Sequence, residues 1–392
     1  MNDQLSVQYM RILHVIPFFT PALGGSIIVL GFLSKELAKN GHHVTIITTD
    51  YRFDLEYAKS IEEAGVKVLP FRSSFNIGLF IYSPTMKTWI ENNLQHFDVV
   101  HLHNYRSYQN NVAAQYAMKY RVPCIMQPDN SMPRTVTKQT SKWLYDVLYG
   151  KKLLQATTKL LAISKQEAEF CARNGMDTKK ITQIYMGIDF DAACGLSPKP
   201  GDFKAKYHIN ERMILFLGRL HKSKGIDTVV EAFFRLTKET NDVMLVIVGS
   251  DEGYRKRLEK LIERLGIENH VKFIGYVDHL DKLCAYADAE LFVHTVKYMG
   301  GVGLTPLEAI MCGTPVVVTK ECGEIVQEAD CGYIVEYGDI EDLKNKMMRL
   351  LEDPHEGELM VHRGKQYISR NLSWSTIAQK VETIYEDCIR NI

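Results

Sequence analysis

The sequence predicts an α/β protein with two Rossmann-like domains. One order of elements occurs twice along the chain: a buried strand, a glycine-containing loop, an amphipathic helix and another buried strand. The first copy begins at 10–16 (MRILHVI) and the second at 213–218 (MILFLG). The length of 392 residues suits two domains of ordinary size, and a hydrophobic fraction of 46% provides each with a core.

Both copies can be followed element by element. In the first, the loop PFFTPALGGS leads into a helix that runs through Lys39, and HHVTIIT (42–48) is the next buried strand. In the second, the helix covers 225–239 and the strand 243–249. The stretch between the copies is the richest in Gly, Pro and charge. The predicted domains are therefore 1–190 and 211–372, joined by a linker at 191–210.

The last predicted element is a helix at 373–392, for which Ser373 is the expected N-cap. Its apolar residues recur at three- and four-residue spacing and form one stripe, made of Trp374, Ile377, Val381 and Ile384. A stripe of this kind requires a packing partner elsewhere in the protein.

The charge balance argues against a nucleic-acid-binding function. Lys plus Arg and Asp plus Glu both number 47, so the whole chain has no basic field for nucleic acid. The halves differ in sign: residues 1–190 contain 21 basic and 15 acidic side chains, and residues 191–392 contain 26 and 32. A basic first half suits an anionic substrate or an anionic membrane surface, but an ordinary solvated surface has the same composition.

Missing motifs narrow the function further. The eight cysteines form no C-x-x-C pair, so neither a zinc site nor a redox motif is indicated. Neither glycine loop contains G-x-G-x-x-G, which disfavours a nicotinamide cofactor. The N-terminus lacks the basic start of a signal peptide, and no segment reaches 18 consecutive apolar residues. We therefore expect a cytoplasmic protein that does not span a membrane.

Two segments place phosphate-binding groups next to predicted strand ends. Gly24 and Gly25 lie between a strand and a helix N-terminus, where bare N–H groups and the helix dipole can approach a phosphate. Arg219 and Lys224 follow the first strand of the second domain, so both cations are expected over the carboxyl edge of that sheet, where open α/β sheets bind ligands. A flexible turn and ordinary surface cations explain the same residues, and spacing alone does not decide.

Two further segments have residues that the rest of a nucleotide needs. In GGVGLTPLEAIMCGTPVVVT (300–319), Gly303, Leu304 and Thr305 lie at the start of a helix, where N–H groups can meet phosphate oxygens. Thr305 is predicted to cap this helix, and the T-x-x-E spacing makes Glu308 either its capping-box partner, which spacing favours, or an acceptor for ribose hydroxyls. Tyr276 follows another strand end, in VKFIGYVD, where backbone groups can border a flat base.

Taken together, these segments resemble the retaining glycosyltransferases of family 4, which have the GT-B fold. The likeness extends nearly from end to end of the chain. Besides the early Gly24-Gly25 loop, it rests on DVVHLHN (98–104), LLAISKQEAEF (160–170), G-R-x-x-x-x-K-G (218–225), VIVGSD (246–251) and PLEAIMCGTPVV (306–317).

The resemblance implies two Rossmann-like domains facing across a cleft, with the last helix crossing back to the first domain. It implies a UDP- or GDP-linked sugar donor bound mainly by the second domain, and no metal or other cofactor. Arg219 and Lys224 would contact the diphosphate and the 303–305 backbone the phosphates. Glu308 would bind the ribose instead of closing a cap, and Tyr276 would lie near the base.

The chain departs from the family pattern at the sugar. The first glutamate of the family's donor signature would stand eight residues before Glu308, where this chain has Gly300. CIMQPDNSMPR (124–134) resembles a segment in which relatives have His and Gly at the positions of Asp129 and Asn130, and Met186 replaces a common Asn. These changes imply another sugar, a substitute group or weakened catalysis.

Retention in this family is pictured as a front-face displacement without a protein nucleophile, in which cations stabilise the departing diphosphate. Because the phosphate-binding set is intact, we expect an active transferase with altered donor choice. Asp129 is expected on the sugar side, since a carboxylate beside the diphosphate would repel it. His101 and His103 are more simply explained as packed histidines. Asp189 and Asp191 form D-x-D, a motif of metal-dependent transferases. We interpret this match as due to chance.

The acceptor should be chosen by the first domain. Residues 134–161 interleave six cations with Trp143, Leu144, Val147 and Leu148, as in a helix that meets an anionic membrane, although core packing of the same helix is an equal alternative. The membrane alternative predicts a glycan or polyprenol-linked acceptor at the inner face of the cell membrane, and a surface polysaccharide or glycoprotein glycan as product. The rival functions are a nucleotide-sugar or glycan-binding subunit without turnover and a GT-B epimerase, against which the family strings argue.

Overall fold

A computed structural model of the protein describes residues 9–23, 25–77, 80–133, 139–188, 199–297 and 303–391. The chain forms two compact units. Unit 1 consists of Met1–Gly187 together with Trp374–Ile392, and unit 2 of Ile188–Ser373. Each unit contains a parallel sheet covered by helices, which confirms the predicted fold class.

Unit 1 is built on a seven-stranded parallel sheet in the order β3-β2-β1-β6-β7-β8-β9. Its strands are β1 Arg11–Val15, β2 His43–Thr49, β3 Lys67–Phe71, β6 Val99–His103, β7 Cys124–Gln127, β8 Lys159–Ala162 and β9 Ile181–Gln183. A separate antiparallel hairpin joins β4 Phe75–Ile77 to β5 Phe80–Tyr82. The strand order reverses at β1, so the gap between the ends of β1 and β6 is the point where open sheets of this type bind ligands.

Alternate residues of β1 belong to different hydrophobic cores. Ile12 packs in the cluster on one face of the sheet, and Leu13 and Val15 pack in the cluster on the other. Both faces are therefore buried, which explains why this strand is a continuous apolar run instead of an alternating one.

The helices of unit 1 cover both faces of its sheet. They are α1 Gly25–Lys39, α2 Leu55–Glu62, α3 Pro84–Asn93, α4 Tyr108–Tyr120, α5 Gln139–Tyr145, α6 Lys151–Ala156 and α7 Lys165–Arg173, with a π-helical turn at Asp146–Gly150 and 3₁₀ turns at Pro21–Leu23, Leu94–His96 and Thr178–Lys180. The side chains of four residues accept N–H bonds at the starts of α2, α3, α4 and α7 respectively: Asp54, Ser83, Ser107 and Ser164.

Unit 2 is built on a six-stranded parallel sheet in the order β12-β11-β10-β13-β14-β15. Its strands are β10 Arg212–Leu217, β11 Val243–Val248, β12 Val271–Gly275, β13 Leu291–His294, β14 Val316–Thr319 and β15 Tyr333–Val335. The strand order of this sheet reverses at β10, so its switch point is the gap between the ends of β10 and β13.

The helices of unit 2 are α8 Asp202–Lys206, α9 Ile226–Leu236, α10 Arg255–Leu265, α11 His279–Ala287, α12 Leu304–Cys312, α13 Glu324–Glu328, α14 Ile340–Glu352 and α15 Pro354–Asn371. There are 3₁₀ turns at Lys222–Lys224 and Glu268–His270. Within the described part of the chain, no helix in either unit is long and apolar enough to cross a bilayer.

Part of the predicted linker belongs to unit 2. Residues 191–198 lie outside the described residues, but α8 follows at Asp202–Lys206, with Phe203 only 1% exposed. The carboxylate of Asp288 accepts N–H bonds from Gly201 and Lys204. Composition marks this stretch as a turn, but the buried Phe203 and the two bonds to Asp288 hold it on unit 2.

The C-terminal helix, α16 Trp374–Arg390, packs in the core of unit 1, as the resemblance predicts. The ring of Trp374 stacks on Phe32 of α1 at 5.5 Å between centroids, and Val381 is 1% exposed. The stripe continues to Tyr385, four residues after Val381, a position that the predicted stripe did not include. The Tyr385 hydroxyl is fully buried and lies 2.6 Å from His101 Nδ1 on β6.

We expect the Tyr385→Phe substitution to destabilise unit 1 by about 1–3 kcal/mol, because it leaves a buried imidazole nitrogen without its partner. Chemical denaturation followed by circular dichroism measures the change. Tyr276→Phe is the matched control, since that ring is 82% exposed and should leave the free energy of unfolding unchanged. Equal effects of the two substitutions would show that the Tyr385–His101 contact contributes nothing.

Candidate active site

The loop after β10 is fixed by both neighbouring strands of unit 2. The N–H of Gly218 donates to Val248 O (2.9 Å), and on the other side the Thr295 hydroxyl donates to Gly225 O (2.9 Å). Gly249 has φ of +144°, and a Cβ there would collide with the carbonyl oxygen of Gly218. The missing side chain of Gly249, in VIVGSD, thus allows the ends of β10 and β11 to touch.

This loop places Arg219 and Lys224 together at the carboxyl edge of unit 2. The Arg219 side chain is 64% exposed, and its Nη1 donates to Glu252 Oε1 at 2.6 Å. Lys224 is half-buried, and its pKa is lowered by burial and then by the positive charge of Arg219. An anion bound beside this pair would offset the repulsion between the two cations. The arrangement is therefore suited to a phosphate or diphosphate.

Glu308 does not close the predicted capping box. Helix α12 begins at Leu304 with Gly303 as N-cap, so Thr305 lies inside the first turn and does not cap it. The Glu308 carboxylate instead accepts bonds from Lys282 Nζ (2.9 Å) and from the Tyr286 hydroxyl (3.1 Å), both on α11. Both partners lie more than twenty residues before Glu308 in the chain, so no local spacing rule could have predicted them.

Of the other predicted donor-binding residues, Tyr276 is 82% exposed directly after β12, where Gly275 has φ of +88°. Gly303 is buried and Leu304 starts α12. In unit 1, Gly25 starts α1, and a Cβ there would meet nothing within 4 Å. Four residues on which predictions were made lie outside the described residues: Gly24, Asp189, Asp191 and Gly300.

Asp129 lies at the carboxyl edge of the unit 1 sheet, after β7. Its side chain is only 4% exposed, and its Oδ1 accepts a bond from Gln127 Nε2 at 2.7 Å. Its Oδ2 lies 3.7 Å from His103 Nδ1, at the end of β6. The backbone at Asp129 and Asn130 is left-handed, with φ of +52° and +58°. The carboxylate at the position of the family's histidine is thus turned toward a histidine of the neighbouring strand.

Glu167 fixes this left-handed turn. Its two carboxylate oxygens accept the N–H groups of Asn130 (2.6 Å) and Ile163 (2.9 Å). Burial raises the pKa of Glu167 to about 8, with a further contribution from the negative charge of Asp129. Glu167 belongs to the string LLAISKQEAEF (160–170), and no role was predicted for it. The signal was Ser164-x-x-Glu167, a capping-box pattern in which the serine does cap α7 while the glutamate holds the neighbouring loop.

Three histidines meet beside Asp129. His14 Nδ1 lies 3.0 Å from His103 Nε2, and His101 is adjacent on β6; all three side chains are fully buried. Burial, followed by the neighbouring imidazoles, lowers the pKa of His14 and of His101 well below the usual value. Their ligand atoms lie within 4.8 Å of one another, and within the described ranges this is the one group of three or more such side chains spaced to hold a metal ion.

A cavity of about 560 Å³ lies in unit 1. Tyr105 and Arg106, which follow the carboxyl end of β6, form one part of its wall, and Trp143 and Val147 form another. Arg106 is fixed there by the Asp146 carboxylate at 2.8 Å. The cavity combines apolar walls with polar groups and is the candidate site for a second substrate.

Two Rossmann-like units, with paired cations at the carboxyl edge of the second sheet, fit the class of GT-B glycosyltransferases. The family model for glycosyl transferases group 1 matches residues 202–367, and the model for glycosyltransferase family 4 matches 23–192. This chain therefore belongs to the family 4, or group 1, glycosyltransferases.

Individual relatives agree with this assignment. An uncharacterised glycosyltransferase of Methanocaldococcus jannaschii is 29% identical over 96% of this chain and 98% of its own length. A second one from that archaeon is 25% identical, covering 64% of this chain and 63% of its own length. The N-acetyl-alpha-D-glucosaminyl L-malate synthase of Bacillus anthracis is 25% identical over 95% of this chain and 96% of its own.

The fold also matches that of solved structures. Anabaena HepE in complex with UDP-glucose superimposes with a TM-score of 0.75 at 20% identity, covering 98% of this chain and all of that one.

The buried His294, next to the paired cations, predicts a pH dependence of stability. Burial, followed by the charge of Lys224, lowers the pKa of His294 to about 3. Below about pH 6.5 the unfolded chain binds a proton at this residue and the folded protein does not. The contribution of His294 to the free energy of unfolding therefore falls by about 2 kcal/mol from about pH 7 to about pH 5.

The His294→Asn substitution is expected to remove this part of the pH dependence, as measured by urea denaturation at several pH values. His355→Asn is the control, because the His355 side chain is 78% exposed. If the free energy of unfolding had the same pH dependence in the wild-type protein and in His294→Asn, the prediction that His294 is neutral in the folded protein would be wrong.

Proposed function

We propose that this protein transfers a sugar from a nucleotide-diphosphate sugar to a glycan or lipid-linked acceptor with retention of anomeric configuration. The observation that carries the proposal is the pairing of Arg219 and Lys224 at the switch point of unit 2, on a loop fixed by both neighbouring strands. A UDP- or GDP-linked hexose is the proposed donor. The UDP-glucose complex of the similarly folded HepE supports a donor of this class.

In the proposed mechanism, Arg219 exchanges its Glu252 partner for the diphosphate, and the half-buried Lys224 binds the same group. Together they stabilise the negative charge that develops on the leaving diphosphate oxygen. That oxygen helps to take the proton of the acceptor hydroxyl on the same face, so retention needs no protein nucleophile. The first-turn N–H groups of α12 bind phosphate oxygens, while Glu308, held by α11, binds the ribose hydroxyls.

The role proposed for Asp129 follows from its surroundings. Because Gln127 and the nearby His103 hold the carboxylate in one orientation, we assign it the role of accepting hydrogen bonds from hydroxyls of the transferred sugar. Its small exposed fraction also supports the second candidate function, a nucleotide-sugar or glycan-binding subunit with weakened catalysis, since a carboxylate engaged within unit 1 has less capacity to bind substrate.

The proposed biological setting is the synthesis of a cell-surface polysaccharide or of a glycoprotein glycan, in the cytoplasm and at the inner face of the cell membrane. The cavity beside Tyr105 and Trp143 supports an acceptor with both polar and apolar parts. The basic first half of the chain, with 21 basic and 15 acidic residues up to position 190, supports an anionic acceptor or membrane surface.

The donor proposal predicts that one nucleotide sugar among UDP-, GDP- and ADP-sugars raises the thermal unfolding midpoint of the protein. At a concentration of about 100 times Kd, the expected stabilisation is about 2.7 kcal/mol. Arg219→Ala is expected to weaken binding about 10- to 100-fold, because it removes charged hydrogen bonds to the diphosphate. Thermal shift and calorimetric titration measure both effects, and nucleotide release measures turnover.

Arg235→Ala is the matched control for this experiment. Arg235 also belongs to unit 2 and forms an exposed arginine–glutamate pair, with Glu341 at 2.7 Å. It should leave donor binding unchanged. Stabilisation by none of the nucleotide sugars would refute the donor assignment, and binding without nucleotide release, even with added membrane lipids, would favour the binding-subunit function.

We also propose that the reaction needs no resident metal ion, because Arg219 and Lys224 supply the positive charge that faces the leaving group. Protein dialysed against EDTA is then expected to keep its rate of nucleotide release relative to protein dialysed without chelator. Loss of turnover that is restored by Mn²⁺, Mg²⁺ or Zn²⁺ would contradict the proposal. Metal analysis of the His14→Ala variant would in that case test the three-histidine cluster directly.

A further inference from the structure

Exposed large hydrophobic side chains are concentrated on one short segment of unit 1. Thirteen such side chains are exposed among the described residues, and five of them lie within seven consecutive positions. We call this set the apolar face; it consists of Trp143, Leu144, Val147, Leu148 and Tyr149, which are 44% to 59% exposed. Contiguous exposed apolar surface of this kind marks an interaction site. The alternative that the same residues pack in the core is contradicted by their exposure.

The backbone holds the apolar face outward. The π-helical turn at Asp146–Gly150 gives Tyr145 and Gly150, five residues apart, a common inward direction. The Tyr145 hydroxyl donates to Asn111 Oδ1 at 2.7 Å, and a Cβ on Gly150 would collide with the hydroxyl of Tyr105. With these two positions fixed against unit 1, the outward side chains cannot turn inward without unfolding the turn.

Positive charge borders the apolar face. Lys151 and Lys152 are exposed directly after the π-helical turn, and Lys142 precedes Trp143. Between residues 139 and 152 the sequence has one acidic residue, Asp146, and its carboxylate is neutralised by Arg106 at 2.8 Å. An apolar surface with a cationic border complements a bilayer that has anionic headgroups. A protein partner of neutral or basic surface would leave these lysines without counter-charge.

The apolar face is continuous with the candidate acceptor cavity. Trp143 and Val147 contribute to both, and the cavity reaches Tyr105 at the carboxyl end of the unit 1 sheet. An amphiphile lying in a bilayer could therefore enter the cavity from its apolar rim without crossing water.

We propose that the apolar face docks this protein on an anionic phospholipid bilayer. The five apolar side chains enter the boundary between headgroups and acyl chains, and Lys151 and Lys152 contact the lipid phosphates. The inference rests on the proposed transferase function and deepens it, because it identifies the surface from which a lipid-linked acceptor is taken.

The test is sedimentation of the full-length protein with vesicles of phosphatidylcholine, either alone or mixed with phosphatidylglycerol. Binding is expected to the mixed vesicles and to weaken with added salt. The double variant Leu144→Ser with Leu148→Ser is expected to bind these vesicles at least about tenfold more weakly than the wild-type protein. In the double variant Lys151→Gln with Lys152→Gln, the affinity for anionic vesicles should fall roughly fivefold for each lysine removed.

Matched controls come from unit 2. Leu280→Ser with Leu359→Ser replaces two leucines that are 48% and 47% exposed, close to the values for Leu144 and Leu148. Lys256→Gln with Lys260→Gln replaces two exposed lysines of α10. Both control variants are expected to bind vesicles like the wild-type protein.

Tryptophan fluorescence reports on the depth of insertion. The chain has three tryptophans, of which Trp374 is buried, Trp89 is half-buried and Trp143 is 52% exposed. Brominated lipids are expected to quench the emission of the wild-type protein, and Trp143→Phe should abolish this quenching while leaving unfolding by urea unchanged.

The proposal is overturned if the wild-type protein stays in solution with anionic vesicles at low salt, or if the leucine variants of the two units bind alike. It is also overturned if Leu144→Ser with Leu148→Ser changes only the oligomeric state in analytical ultracentrifugation, since the apolar face would then join copies of this chain. Stabilisation by a nucleotide sugar is measured without vesicles, so failure of docking and failure of the transferase function give different results.

Discussion

Contact between the backbones of two parallel strand ends positions the proposed donor site of unit 2. The missing side chain of Gly249 lets the end of β11 approach Gly218 at the end of β10, and the loop between Gly218 and Gly225 is then bonded on both sides. Arg219 and Lys224 leave this loop as a pair in spite of their mutual repulsion. Burial, and then the charge of Arg219, lowers the pKa of Lys224. A rigid loop that holds like charges together is a site prepared for an anion, because binding supplies the counter-charge without rearrangement of the backbone.

Unit 1 differs from unit 2, because the ionisable side chains next to Asp129 are buried instead of exposed. Burial keeps His14 and His101 neutral and raises the pKa of Glu167 to about 8, so the space behind Asp129 is populated mainly by uncharged groups near neutral pH. Asp129 therefore lies where a carboxylate has few counter-charges. Its nearest basic partner is His103, at 3.7 Å. Asp129 and Asn130, two of the residues that depart from the family pattern, are thus held by hydrogen bonds and a close histidine.

Two surfaces of unit 1 that we propose to meet the acceptor differ in polarity. The carboxyl edge of the sheet presents polar groups fixed by hydrogen bonds, whereas residues 143–149 present apolar side chains fixed by the buried Tyr145 and Gly150. The cavity that links them has walls of both kinds. An acceptor with a polar head and an apolar chain would match this order, so the membrane-docking and acceptor-binding proposals for unit 1 are consistent with each other.

The sequence by itself determined the two parallel sheets, the helix that returns to unit 1 and the family, because periodicity and glycine loops are local patterns and the family strings are contiguous. Tertiary structure alone decided the partners of individual side chains. Glu308 bonds to Lys282 and Tyr286 instead of closing its T-x-x-E cap, and Asp129 approaches His103 from another strand. The sequence also did not determine whether Trp143 and its neighbours are exposed, because the same helical pattern occurs in buried and in exposed helices. Burial, and with it the shifted pKa values of His14, His101, Glu167 and His294, depends on residues far away in the chain, and only the folded sheet brings those residues together.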